Sequence, residues 1–303
     1  MGDPAPIRIR HDRVTPLRYP GGKGKLTPYI RELMKVNELS SLYAEPYAGG
    51  AAIAVNLLLG HDVERIAIND LSLSIHAFWQ SVLYDTEALC RLVTDTPRTV
   101  EAWDRQKRIY AAGDAADSLA LGFAMFFLNR TNRSGILNAG VIGGRDQSGN
   151  WKIDARYNAS DLVSRIQAIG REAHRVTLTN LDAIEFLARG KRDWPADSLV
   201  YLDPPYYVKG RDLYYHFYEH GDHEAVADSI ASLGDLLWVV SYDNVHQVRD
   251  IYAGYKRAIY NIGYSARTAR QGSEVMFFAD DLVVPGLTGP IHVLEEHGEA
   301  VFV

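Results

Sequence analysis

The sequence predicts an α/β chain: a mainly parallel sheet with helices on its faces, interrupted by a mainly helical insert. Three observations lead there. Short apolar runs alternate with stretches of helical spacing over residues 41–83 and again over 175–284, the pattern of parallel strands joined by crossover helices. Between them, residues 98–175 carry 12 Lys and Arg against 8 Asp and Glu, net +4 inside a chain whose total is −6. The 303 residues, 47% hydrophobic and 23% charged, suffice for one large or two ordinary domains with a substantial core.

The elements follow in order. SLYAEP (41–46) is a short apolar strand, and GGAAIAVNLLLG (49–60) is an apolar helix opening on glycines. ERIAIND (64–70) is a second strand ending in an acid, and SLSIHAFWQSVL (72–83) has helical spacing. Residues 98–129 read as helical through EAWDRQKRIYAAG and SLALGFAMFFLNR. Residues 130–158, rich in Gly, Asn and Arg, read as loops and a hairpin, with GGRDQSGN as turn material. Alternation resumes with RVTLTN (175–180), DAIEFLARG (182–190), SLVYLD (198–203), HEAVADSIASLG (223–234), LLWVVSYD (236–243), YKRAIYNI (255–262) and EVMFFADDLVV (274–284). An α/β domain in two pieces, 1–85 and 172–303, thus surrounds an insert, 86–171. With residues 1–97 at net −1 and 176–303 at net −9, the basic middle is what a local polyanion-binding module looks like.

Several classes are excluded. No apolar run approaches the roughly 18 residues that span a bilayer, and MGDPAPIRIRHDR lacks the apolar stretch of a signal peptide. The single Cys90 cannot form an internal disulfide and suits a reducing compartment. A soluble, cytoplasmic protein is expected.

Three segments carry chemistry. In LVYLDPPYY (199–207) an apolar run delivers Asp203 to a strand end, where open parallel sheets bind ligands. Pro204 and Pro205 lock the backbone and leave nearby carbonyls as acceptors, and Tyr206 adds a flat ring. A carboxylate, a carbonyl and a ring suit an extruded nucleobase with an exocyclic amine, although a capping Asp at a strand-ending turn would read similarly. In YAEPYAGGAAIAVNLL (43–58) a strand ends in Glu45 before a Gly-containing turn, without the G-x-G-x-x-G of dinucleotide sites. A Glu there repels pyrophosphate and favours a cationic or hydroxyl-bearing ligand. Asp70, 21 residues after Gly49, stands where an acid meets ribose hydroxyls. An adenosine-bearing ligand without phosphates fits, and S-adenosylmethionine (SAM) is one. LRYPGGKGKL (17–26) fails the P-loop pattern, since Gly24-Lys25 is followed by Leu26. Its Gly pair allows close backbone approach, and Lys23 would salt-bridge a methionine carboxylate.

Together these segments resemble the alpha group of DNA adenine N6-methyltransferases, the Dam-type family. The resemblance rests on YPGGK (19–23), EPYAGGA (45–51), IND (68–70) and DPPY (203–206), with further likeness in NRTNRSGI (129–136), GNWKIDARYN (149–158), NLDAIEF (180–186), SYDN (241–244) and YSARTARQGSEVMFF (264–278). It covers about 17–285 in the family's order. Tyr19 stands where the family often has Trp, the second Gly of the turn is shifted to Gly50 with Ala51 after it, and 139–148 departs from the GATC enzymes.

The resemblance implies a Rossmann-like SAM-dependent methyltransferase sheet with an inserted, mainly helical target-recognition domain. It implies a methyl transfer from SAM to the N6 amine of a flipped adenine in double-stranded DNA. Catalysis would fall to Asp203, Pro204, Pro205 and Tyr206, and SAM to Tyr19, Gly22, Lys23, Glu45, Pro46, Gly49, Asp70 and Asp182, with Asp203 at its edge. Asp182 would equally be a helix N-cap. In the insert, Arg130, Asn132, Arg133, Arg145, Lys152 and Arg156 are candidate DNA contacts, Arg suiting guanine and Asn adenine and others meeting phosphates. No metal is expected: His220 and His223 near Glu224 read as a helix start with Asp222 as N-cap. Cys90 in EALCRLV reads as a buried small residue, which excludes cytosine C5 chemistry. Neighbouring alternatives are cytosine N4 in DNA, adenine N6 in RNA, and a non-catalytic DNA-binding relative. A prokaryotic or phage setting and a cognate restriction endonuclease as partner are further expectations, and no membrane is implied.

Overall fold

The computed structural model of the chain describes residues 14–18, 22–207, 218–262, 273–286 and 291–297. Within them one sheet contains β1 (Leu42–Glu45), β2 (Arg65–Asn69), β3 (Val176–Thr179), β4 (Ser198–Leu202), β5 (Leu237–Asp243), β6 (Lys256–Ile262), β7 (Glu274–Phe278) and β8 (Ile291–His297), in the order β3-β2-β1-β4-β5-β7-β6-β8. The run β3-β2-β1-β4-β5 is parallel, while β7 lies antiparallel between β5 and β6, and β8 antiparallel to β6. This is the Rossmann-like α/β sheet expected from the alternation. Every residue of β1 and β4 is buried, as strands covered on both faces require.

Ten α-helices accompany the sheet among the described residues: α1 (Thr27–Val36), α2 (Ala52–Leu59), α3 (Leu73–Tyr84), α4 (Thr86–Asp95), α5 (Val100–Ala112), α6 (Ser118–Thr131), α7 (Ala159–Arg171), α8 (Ala183–Asp193), α9 (His220–Ala231) and α10 (His246–Ile251). Starts are fixed by side chains that satisfy orphan N–H groups. Thr99 accepts from Ala102 at 3.2 Å, Asn158 from Asp161 at 3.2 Å, and Asp182 from Ile184 at 2.8 Å. Helix α6 is buried from Leu121 to Asn129 and packs on α3, where Phe126 stacks on Phe78 at 5.7 Å. The helices meet closely at Gly122, where a Cβ would lie 2.5 Å from the Ala77 carbonyl oxygen. No helix among the described residues is long and apolar enough to cross a membrane.

Some details differ from the sequence reading. Helices α1 and α7 and strand β8 lie in stretches to which the apolar pattern assigned no element. The hairpin expected in 130–158 reduces to one isolated bridge, Asn132 to Val141. A side chain replaces the ladder there: Gln147 Nε2 donates to the Ile142 and Gly144 carbonyls at 2.8 and 2.6 Å, and its Oε1 accepts from Ile153 at 2.9 Å. The N-cap of α9 is Glu219 rather than Asp222, which sits at N3 and accepts the Glu219 N–H at 2.8 Å. His223 is buried inside that helix against the Tyr242 hydroxyl at 3.1 Å. Cys90 is buried, as its neighbours suggested, and burial pushes its thiol up to about 11.

Candidate active site

Parallel pairing sets the carboxyl ends of β2, β1 and β4 side by side, with Glu45 opposite Ile68 and Ala44 opposite Val200. Each strand then releases an acid at the same sheet edge: Glu45 from β1, Asp70 just past β2, and Asp203 just past β4. All three line one cavity of about 750 Å³, within the range of small-molecule sites.

The turn after β1 is built from both sides. Gly49 (φ 47°) and Ala51 (φ 44°, ψ 39°) take left-handed backbone. The Asp70 carboxylate holds the turn, accepting the Gly49 N–H at 2.8 Å through one oxygen and the Ser72 N–H at 2.9 Å through the other. The Trp79 indole donates to the Gly49 carbonyl at 2.9 Å. Asn69 is fully buried and ties three strand ends together, donating to the Pro46 and Leu181 carbonyls at 3.0 Å each and accepting from Thr179 and Leu181 at 2.7 and 2.9 Å. Glu45 accepts from the Ala54 N–H at 3.1 Å. Burial nevertheless pushes its carboxyl up to about 8, with that N–H acting the other way.

Asp203 is clamped by one oxygen. Its Oδ1 accepts from Lys23 Nζ at 2.9 Å and from Ser241 Oγ at 3.0 Å, and Ser241 in turn pairs with the Tyr201 hydroxyl at 2.9 Å. Oδ2 has no hydrogen-bond partner among the described residues. Burial raises the Asp203 carboxyl above its ordinary value, and Lys23 opposes that. Lys23, only 4% exposed, also donates to the Tyr206 hydroxyl at 3.0 Å and lies 3.5 Å from Glu274 Oε2.

The sequence-predicted residues therefore divide. Gly22, Lys23, Glu45, Pro46, Gly49, Asp70, Asp203 and Pro205 line the cavity together; Tyr19 lies outside the described residues, as do residues 263–272 of the YSARTARQG stretch. Lys23 lines the cavity and pairs there with Asp203. Tyr206 is buried with its hydroxyl on Lys23 and on Glu274 Oε1 at 3.1 Å, so its ring does not line the cavity. The aromatic walls are Tyr47, Tyr110, Tyr201 and Tyr218. Asp182 caps α8, and the wall beside it is Ala183.

Asn132 departs from the expected DNA contact. It is fully buried, takes the Trp103 indole N–H at 2.6 Å, and donates to the Ile136 and Leu137 carbonyls at 2.9 and 2.8 Å. Every polar atom of that side chain is spent on holding its loop. Arg145 is 65% exposed but forms a two-pronged pair with Asp104 at 2.7 and 2.8 Å. Lys152 donates to the Gln147 carbonyl at 2.6 Å, and Arg133 is exposed. Arg130 and Arg156 line the cavity, and so do Arg18 and Arg165, which the motifs did not single out. Arg130 is held at about 10 by burial, with Arg18 and Arg165 repelling it. Trp151, 68% exposed, lies beneath the Arg156 guanidinium, 5.7 Å from its ring centre. An exposed Trp beside a cationic rim is a signal the sequence reading could have used.

No match was found among curated proteins. Among solved structures, two of the rRNA methyltransferase aviRa from Streptomyces viridochromogenes are 13% identical to the chain. One covers 89% of this chain and 92% of that one at a TM-score of 0.37, the other 91% and 95% at 0.38. Protein LPL1258 from Legionella pneumophila is 9% identical over 89% of this chain and 86% of that one, at 0.34. Likenesses this distant carry no argument about activity. The family comparison does: the D12 class N6 adenine-specific DNA methyltransferase family matches residues 19–264, a span containing all three strand-end acids and the DPPY turn, and the chain belongs to that family.

Proposed function

We propose that this methyltransferase moves a methyl group from SAM to the N6 amine of an adenine extruded from duplex DNA at a specific sequence. The observation that carries the reading is Asp203. It stands at the end of β4 on the cavity, with Oδ1 fixed by Lys23 and Ser241 and Oδ2 left for an amine. The residues of the cavity fit SAM. Glu45 and Asp70 suit a ligand with hydroxyls and positive charge, and the Gly49 turn lets backbone approach it. When bound, SAM supplies an electrophilic methyl on a sulfonium.

Asp203 Oδ2 accepts one N6 hydrogen of the adenine and the Pro204 carbonyl accepts the other. An adenine amine is a poor nucleophile because its lone pair is delocalised into the ring. Two fixed acceptors make the nitrogen more tetrahedral and aim that pair at the methyl; as the N–C bond formed, the methyl–sulfur bond would break to leave the neutral thioether, and the surplus amine proton would pass to Asp203 Oδ2 and on to solvent. Holding the amine in line supplies much of the acceleration. Residues 86–171 act as the recognition part and 1–85 with 172–303 as the catalytic part. Arg18, Arg130, Arg156 and Arg165 around the cavity support the approach of a phosphate backbone. A cytoplasmic, prokaryotic or phage setting beside a cognate restriction endonuclease would suit such an enzyme.

The test is expression in a methylation-free host, with N6-methyladenine mapped by single-molecule sequencing. One sequence context should be methylated, and Asp203→Ala should lower the rate by about 10²-fold or more, as for an electrostatic positioning group. Methylation absent from the wild type, or retained above half its rate in the variant, overturns the reading.

A further inference from the structure

The transfer step leaves one prominent side chain without a part. Trp151 is 68% exposed, the most exposed large apolar residue among those described. It directly follows the GGRDQSGN turn, and that turn is braced. Gly143 (φ 88°) comes so close to the returning chain that a Cβ there would lie 2.7 Å from the Trp151 carbonyl oxygen. Lys152 Nζ donates to the Gln147 carbonyl at 2.6 Å, the Ile153 N–H donates to Gln147 Oε1 at 2.9 Å, and Ile153 itself is buried. The indole is thus held out on a fixed backbone with anchors on both sides. The Arg156 guanidinium lies over its ring, 5.7 Å from the centre, and Arg156 also lines the cavity that contains Asp203. A single exposed apolar residue needs no explanation in itself. Trp151 differs from Tyr84, which is 63% exposed at the end of α3 and is not among the residues of the cavity wall.

We infer that Trp151 is a wedge: when the adenine leaves the duplex for Asp203, the indole enters the step that the base vacates. Extruding a base sacrifices its pairing and its stacking on both neighbours. An apolar side chain inserted between the remaining bases restores part of that stacking and keeps the adenine from returning. The task demands a large flat ring, a backbone that does not yield, and a position beside the receiving cavity. Trp151 has the ring, the Gln147 brace supplies the backbone, and Arg156 joins the ring to the cavity wall. The same guanidinium complements the phosphates that flank an emptied step, and the exposed Lys152 beside it adds to that charge. The occupant of the indole is therefore a duplex from which one base has been removed.

The inference rests on the extrusion of an adenine toward Asp203. The experiment compares the wild type with Trp151→Ala and Trp151→Phe, as full chains, by filter binding to synthetic duplexes that carry the mapped methylation sequence. Opposite the target adenine stands either thymine or a pyrene nucleotide, whose bulk fills the step from the DNA side. With thymine, Trp151→Ala should bind about tenfold or more weakly, the size of one lost stacking contact. Trp151→Phe should recover most of that loss. The salt slope should stay the same in all three, because no phosphate contact is removed. With pyrene, Trp151→Ala should bind within about twofold of the wild type, since the filler is already in place. A duplex without the methylation sequence, from which no adenine is extruded, should bind all three alike. Unchanged affinity in Trp151→Ala overturns the wedge and leaves the indole to a protein partner. A loss that pyrene does not restore, or an equal loss on duplexes without the sequence, also overturns it, because the ring would then stack on DNA away from the emptied step. A wild type that methylates no adenine removes the functional reading and the wedge with it. A wild type that methylates while pyrene fails to rescue Trp151→Ala removes the wedge alone.

Discussion

Glu45 makes stability fall where most proteins are comfortable. Its carboxyl is buried beside the Gly49 turn, and burial lifts it from about 4.5 to about 8 although the Ala54 N–H and the Tyr43 hydroxyl act the other way. An acid raised in the folded state binds a proton that the unfolded chain has released. Between pH 4.5 and 8 the native state therefore holds the extra proton, and stability falls as pH rises. Each pH unit is worth about 1.4 kcal/mol, so the window from 4.5 to 8 amounts to up to about 5 kcal/mol. Glu45→Gln resembles the protonated form at every pH. Urea unfolding of both proteins from pH 4.5 to 9 should find them nearly equal at the acid end. The variant should then become the more stable by about 1.4 kcal/mol per unit until the gap levels off above 8. Buffer-dependent calorimetry adds a check: a cationic or hydroxyl-bearing ligand that draws Glu45 into its charged form should release a proton on binding below pH 8. A gap between wild type and Gln that does not change with pH would refute the reasoning.

Other outcomes follow from the same geometry. Asp70→Ala removes an acceptor that each charged hydrogen bond values at roughly 1.5–3 kcal/mol, so calorimetry should show SAM binding weakened tenfold or more; an unchanged constant takes Asp70 out of the site. Ala51→Gly relieves left-handed backbone at a residue with a Cβ, worth about 1 kcal/mol, and should raise the thermal midpoint by about 2 °C; a lower midpoint would show that the turn is not strained. Trp151→Ala should weaken duplex binding by about 1–3 kcal/mol through lost stacking while the methylated sequence stays the same, which filter binding and methylome mapping separate. Arg133→Ala should relax the sequence at one position if it reads a base, or lower the salt slope by about one if it meets a phosphate. Arg145→Ala should do less, because Asp104 already engages that guanidinium; equal effects from the two would contradict this ranking.

What was legible in the chain was whatever local pattern determines. An apolar run that stops at an acid announces a buried parallel strand, and Glu45, Asp70 and Asp203 were found that way. The side-chain partnerships were not legible, because the atoms concerned are brought together by strand order alone. Lys23 meets Asp203 and Glu274 from segments with nothing in common along the chain. Asn132 looked available because polar loop residues usually are, and only packing shows that Trp103 and two carbonyls consume it. Helix α1 was hidden by starting directly after a Gly-Lys stretch that invites a ligand reading. The GGRDQSGN turn is legible from its residues but its mate is not, since Gln147 does with one amide what a second strand would have done.

The pairing of β1 with β4 sets residue 42 beside residue 198, across almost everything that lies between the two halves of the sheet. Closing so long a loop is entropically slow and cannot be rewarded until both strands exist. Helices α3 to α7 hold each other by nearer contacts and can assemble earlier, on a chain whose β4 has not yet been made. A ribosome-bound intermediate would then carry the turn after β1 and the arginine-bearing helices but no Asp203 beside them. Chemistry would switch on in one step when β4 docks, so a truncated product should be incapable of marking DNA rather than capable of marking it carelessly.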